Sequence, residues 1–223
     1  MTAASVTQLP SSPAAFKRRG VMLVLASPPG GGKTTITREL MRLDPQTVIS
    51  VSATTRAKRP GEIEGQHYYF VSREKFQQMI ASGEMLEYAL VYNNNYYGTP
   101  KAPVEKALAE GRDVLFDIDW QGNRKLTEIA KDDVVSIFLL PPSWNDLEHR
   151  LHSRAQDSAE EIARRLSMAH DEISHYKEFQ YVIVNNDLSE SIRQVRGILD
   201  AERVKRTRLH NVQDFVDTLK PGK

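Results

Sequence analysis

The sequence has no cysteine, which excludes a disulfide framework and a thiolate metal site and suits a reducing cytosol. It has no excess of either charge: 30 basic against 29 acidic residues leave a formal charge of +1. A chain so balanced is not built to coat a nucleic-acid polymer or a membrane surface, so any anion binding must be local. It contains no apolar run of the length a membrane span or a signal peptide needs, and no segment recurs at a fixed period. The default location is therefore the cytoplasm. Residues 1–19 (MTAASVTQLPSSPAAFKRR), rich in Ser, Ala and Pro, are expected to form a flexible leader.

Hydrophobic residues make up 40% of 223, enough for the core of one domain with inserted subdomains. Short runs rich in Val and Ile recur as VMLVLA, TVISVS, DVLFDID, VVSIFLL and YVIVNN, the signature of strands buried on both faces of a parallel sheet. Amphipathic stretches at 102–110, 121–130 and 158–179 separate several of them, and this alternation predicts a doubly wound α/β fold. Two regions interrupt it. Residues 52–100 combine short strands, turns and a helix around REKFQQMIASG, as an inserted subdomain would. Residues 143–176 are nearly all charged helix, as a movable lid would be. The core is then 20–51, 101–142 and 177–219, closing with one long edge helix over 188–219.

Directly after the first strand the chain reads ASPPGGGKTT. Glycines permit close backbone approach, so several N–H groups converge on one anion; a lysine beside them adds a mobile positive charge. The pattern G-x-x-x-x-G-K-[ST] is met through Gly32, Lys33 and Thr34, with Ser27 at its first position. Ser27, Pro28, Pro29, Gly30, Gly31, Gly32, Lys33, Thr34 and Thr35 are thus candidates for a nucleotide's phosphates, and the Thr34 hydroxyl for the Mg2+ that accompanies them. The strand VLFDID ends in Asp117 and Asp119, whose i, i+2 spacing puts both carboxylates on one face, Asp117 toward the metal. Arg56 and Arg59 lie in TTRAKRPGE, a loop suited to bidentate phosphate contacts, with Tyr68 and Tyr97 as nearby hydroxyl donors. His149 and His152 share a helix face but have no third ligand in sight.

Together SATTRAKRPGEIEGQHYYFVS, GEMLEYA, NYYGT, LFDIDWQG, SIFLLPPS and VIVNND resemble the guanylate kinases, in order from about Val21 through Arg206. The resemblance implies a P-loop nucleoside monophosphate kinase fold: a parallel core sheet flanked by helices, an inserted GMP-binding subdomain and a helical lid. It implies the reaction ATP + GMP = ADP + GDP in purine nucleotide metabolism, with Mg2+ carried by ATP. Guanine presents N1–H and N2–H donors along one edge, and Glu87 matches the family's acceptor for them. Ser52 and Thr99 match hydroxyls around O6, and Asp119 a carboxylate near the base. Arg56, Arg59, Tyr68 and Tyr97 match ligands of the GMP phosphate. Arg150, Arg154 and Arg165 match lid arginines that close on the ATP phosphates, and Asn185 a residue near the adenine. Ser27 and Pro29, Ala155 after a lid arginine, and Asn93 to Asn95 depart from the family pattern without removing a charged group.

A phosphomonoester's second pKa is about 6, so the GMP phosphate is already largely dianionic near neutral pH and no strong general base is required. The work is to align acceptor oxygen and phosphorus and to neutralise the transferring group, with Lys33, Arg56, Arg150, Arg154 and Arg165 as the catalytic cations. The alternative from another class is a guanylate-kinase-like module that binds phosphorylated peptide or protein; such a module is expected to lose parts of the ATP site, and here Lys33, Thr34 and Asp117 all stand. Acceptance of dGMP and assembly into a homo-oligomer are left open.

Overall fold

The computed structural model describes residues 16–91, 94–153 and 158–220. The chain begins with β1 (Met22–Ala26), α1 (Lys33–Leu43), β2 (Thr47–Ile49), β3 (Ala53–Thr54), β4 (Tyr69–Phe70), α2 (Arg73–Ala81) and the hairpin of β5 (Met85–Val91) with β6 (Asn95–Pro100). It continues through α3 (Lys101–Ala109), β7 (Asp113–Asp117), α4 (Trp120–Ala130) and β8 (Val134–Leu140). Then follow α5 (Trp144–His152), α6 (Ala159–Ser174), β9 (Tyr181–Val184), α7 (Leu188–Arg203) and α8 (Val212–Thr218). Among the described residues no helix is long and apolar enough to cross a membrane.

The five strands expected from the Val/Ile runs form one parallel sheet in the order β2-β7-β1-β8-β9. Every side chain of β1 is buried, because the strand is central and both faces are covered. Leu23 and Leu25 turn to one face, where Ile36 and Leu40 of α1 meet Val195 and Leu199 of α7. Met22, Val24 and Ala26 turn to the other, against Val104 and Leu108 of α3 and Leu126 of α4. The period of two along a strand thus builds two hydrophobic layers from one sheet. The insert folds on a second sheet, β4-β3-β6-β5, and helices α5 and α6, in the stretch expected to form a lid, pack around their own cluster of Leu147, Leu151, Ile162 and Ala169.

Three boundaries differ from expectation. The run TVISVS is not one strand: pairing with β7 stops at Ile49, and the chain crosses to the second sheet, Ser50 N–H reaching back to the Leu115 carbonyl and Ser52 accepting from Tyr69. The closing helix is not continuous. Helix α7 ends at Arg203, and Leu209 then bridges to Arg18 in antiparallel sense, which draws the chain off the helix axis. By the same contact residues 16–19 belong to the fold. Arg18 donates to the buried Asp113 carboxylate at 2.6 and 2.9 Å, Arg19 to Asp133, and the Phe16 ring meets Phe215 edge-on at 5.3 Å.

Candidate active site

The glycine loop leaves the carboxyl end of the central strand and runs into the first turn of α1, where unpaired backbone N–H groups favour an anion. Gly30 and Gly32 take φ of +85° and +96°, conformations that side chains rarely adopt. At Gly32 a Cβ would lie 2.2 Å from Nδ2 of Asn185. Asn185 explains this crowding. Its amide donates to the Gly31 carbonyl at 2.9 Å and accepts from Ser191 at 3.0 Å, so the side chain braces the loop from behind. It is 5% exposed and braces the loop without lining the cavity along it.

That cavity, about 210 Å³, is lined by Ser27 through Thr34 together with Asp119 and Glu172. Thr34 and Thr35 are exposed at the start of α1. Lys33 reaches Asp117 Oδ1 at 2.6 Å and the Ile118 carbonyl at 3.5 Å. Asp117 closes β7, as expected, but Asp119 has left the strand: it caps α4, accepting from Gly122 N–H at 2.9 Å. The two carboxylates therefore share the cleft through a strand end and a helix cap rather than through the pleat of a strand. Glu172, on the lid helix, was not singled out by the sequence, where it is one acid among many on a charged helix. Burial pushes its carboxyl up to about 7 even though Lys33 pulls the other way.

A second cavity of about 220 Å³ adjoins the first through Asp119 and lies against the inserted sheet, lined by Ser52, Tyr68, Glu87, Tyr97, Asp117 and Lys125 among others. Glu87 on β5 is 9% exposed and accepts from the Thr99 hydroxyl of β6 at 2.8 Å, the two strands bringing the pair side by side. Burial raises the Glu87 carboxyl above the usual carboxylate range, and the Thr99 hydrogen bond offsets part of that. Thr99 is fully buried; it orients the acid rather than lining the cavity. Lys125 of α4 holds the Tyr88 carbonyl at the rim.

Arg56 reaches the same cavity indirectly. Its guanidinium pairs bidentately with Glu62 at 2.6 and 3.1 Å and sits 5.4 Å over the Tyr68 ring, which meets the Tyr97 ring edge-on. Glu62, the acid of the RPGE segment, was missed as a partner; Arg56 and the Arg59 backbone N–H hold its carboxyl down at about 2. Arg59 itself is exposed and lines neither cavity. In the lid, Arg150 donates to the Asn185 carbonyl at 3.0 Å and Arg165 pairs with Glu161 at 3.0 Å; neither lines the loop cavity. Arg154 lies outside the described residues. Helix α5 nevertheless rests on the loop, since a Cβ at Gly30 would come within 3.1 Å of Leu147.

A glycine loop with its lysine at the carboxyl end of a parallel sheet, beside a second polar cavity on an inserted sheet, defines a phosphate-loop protein built to hold two ligands end to end. Comparison with known proteins narrows the class. The guanylate kinase family model matches residues 19–202. The chain is 54% identical over 205 residues to a guanylate kinase of Paramagnetospirillum magneticum, covering 92% of this chain and 95% of the relative. It is 52% identical over 208 residues to a guanylate kinase of Rhizobium meliloti, covering 93% and 94%. The crystal structure of guanylate kinase from Anaplasma phagocytophilum superposes with a TM-score of 0.73 at 38% identity, over 93% of this chain and 99% of that one. The chain belongs to the guanylate kinase family.

Proposed function

We infer that the cavity on the inserted sheet takes GMP and the cavity along the glycine loop takes the phosphates of ATP. The chain is a kinase that catalyses ATP + GMP = ADP + GDP. The observation that carries the division of substrates is the seam between the cavities: Asp119 lines both and Lys33 stands beside it, bound to Asp117. Glu87 has one oxygen occupied by Thr99 and the other to accept from guanine N1–H and N2–H. Ser52 stands by O6, and Tyr68 and Tyr97, with Arg56 behind them, take the GMP phosphate.

The donors at the loop suit Mg2+: the Thr34 hydroxyl and the Asp117 carboxylate are hard oxygen ligands, few enough to leave most of the coordination to phosphate and water. Mg2+, when bound with ATP, offsets negative charge at the transferring group. Lys33 exchanges Asp117 for phosphate oxygens as ATP enters. Arg150 and Arg165, tied to the Asn185 carbonyl and Glu161, swing with the lid onto the triphosphate, and Arg154 joins them. Closure expels water from the seam, and the dianionic GMP oxygen attacks the γ-phosphorus without a protein base. The reaction's place is the cytoplasm, within purine nucleotide metabolism. ADP release from ATP measured side by side with GMP, AMP, CMP and UMP tests the reading: GMP should exceed the others by at least ~100-fold in kcat/KM, and equal rates with AMP would overturn it.

A further inference from the structure

The amino ends of the central strands, opposite the nucleotide cleft, hold another cavity of about 630 Å³, a volume that suits a small-molecule ligand. Arg19, Lys131, Lys205 and Arg208 line it against the carboxylates of Asp132 and Asp133. Asp133 is already neutralised, since Arg19 grips it with Nε and Nη2 at 2.7 to 2.9 Å. Arg208 is the unusual member. It is 4% exposed, yet its Nε has no hydrogen-bond partner among the described residues. Its other nitrogens reach the Gly20 carbonyl at 3.5 Å, the Asp133 carbonyl at 3.3 Å and the carboxylates of Glu202 at 3.4 Å and Asp133 at 3.8 Å, the last already gripped by Arg19. A buried guanidinium whose polar contacts are all this long is under-compensated, because a desolvated charge needs close partners to replace the water it loses. Lys205 is held no more closely, 3.4 Å from Glu202, Lys131 is exposed at the rim, and the Thr207 hydroxyl adds a neutral donor to the wall.

We propose that this cavity is a second ligand site, separate from phosphoryl transfer, for a small phosphorylated molecule whose phosphate sits between Arg208 and the ammonium groups of Lys131 and Lys205. Tetrahedral oxyanions suit guanidinium and ammonium donors together, and the cavity is larger than one phosphate requires, leaving room for the group that carries it.

The test uses the whole chain with its catalytic cleft filled by an adenosine–guanosine bisubstrate analogue. Inorganic pyrophosphate is then titrated calorimetrically, with KCl at matched ionic strength as the control. One saturable event per chain is expected, weakened at least tenfold in the double variant Lys131→Glu/Lys205→Glu, whose exposed positions lie away from the cleft and leave turnover unchanged. ADP in place of pyrophosphate separates the sources: tighter binding than pyrophosphate supports a nucleotide ligand, and equal or weaker binding supports recognition of the phosphates alone. No saturable heat beyond the KCl control, or the same affinity in the double variant, overturns the proposal.

Discussion

Glu87→Gln keeps the size of a side chain that is 9% exposed and changes only what it offers. In the parent one carboxylate oxygen is held by Thr99 at 2.8 Å and the other is left to accept from guanine. In the variant, if the amide oxygen stays on Thr99, the NH2 group faces guanine N1–H and N2–H, donor against donor; if the amide flips, the Thr99 hydroxyl loses its acceptor instead. Losing a charge-assisted hydrogen bond and leaving a polar mismatch costs ~2–4 kcal/mol, which is ~30- to 900-fold in kcat/KM for GMP. IMP, which lacks the 2-amino group, should lose less, so the parent's preference for GMP over IMP should shrink. The free protein should behave oppositely. Burial raises the Glu87 carboxyl, and a raised acid contributes stability that is present below its unfolded pKa and lost as pH rises through the folded one. At pH 7.5 the ionised form is thus a cost that glutamine removes, and the apo melting temperature should hold or rise. Steady-state kinetics with GMP and IMP, beside thermal unfolding, decide the matter. A GMP efficiency within twofold of the parent removes Glu87 from the base pocket, and a large fall in melting temperature would assign the loss to the fold instead.

Lys33→Ala should lower kcat by ~100-fold or more, since it removes the charge facing the transferring phosphate, while urea unfolding shows little change because Lys33 packs on no core cluster. Glu172→Gln should flatten the pH dependence of stability. The parent is expected to lose stability from the ordinary glutamate range up to about 7, the value to which burial lifts this carboxyl, and a variant with the same melting difference between pH 5 and pH 8 would refute the assignment. Asp113→Asn should destabilise by ~3–5 kcal/mol in denaturant unfolding, because it strips the shared counter-ion from Arg18 and Arg203; a loss below ~1 kcal/mol would show the cluster to be dispensable.

The central sheet was legible because its strands are buried on both faces and so carry unbroken Val/Ile runs; β1 and β8 match their runs almost to the residue. The edges were not. Ser50 to Ser52 continue an apolar-looking run, but their backbone partners belong to two different sheets, a long-range fact that local pattern does not encode. Val204 to Leu209 read as helix because nothing in their side chains breaks one; the break comes from pairing with residues nearly two hundred positions away. At the site, the glycine loop could be read from its own residue types, whereas Glu87 and Thr99 were marked only by the resemblance to the guanylate kinases. The bracing role of Asn185 and the burial of Glu172 were not legible, because both are visible only once packing is known.

The carboxylate of Asp113 also bears on how the chain is made. It is fully buried, accepts from the backbone N–H of Val21 at the start of the central strand, and is neutralised by Arg18 and Arg203. As the chain emerges from a ribosome, the amino-terminal arginine and the first strand are present early, β7 follows, and Arg203 comes only near the end. Until then the sheet would enclose an acid with half its compensation, so the nascent chain has little to gain by closing early. Helix α7, which carries Arg203, rather than any strand, times the final collapse, and a chain interrupted before residue 203 should remain exposed to proteases and chaperones in a form the complete one does not.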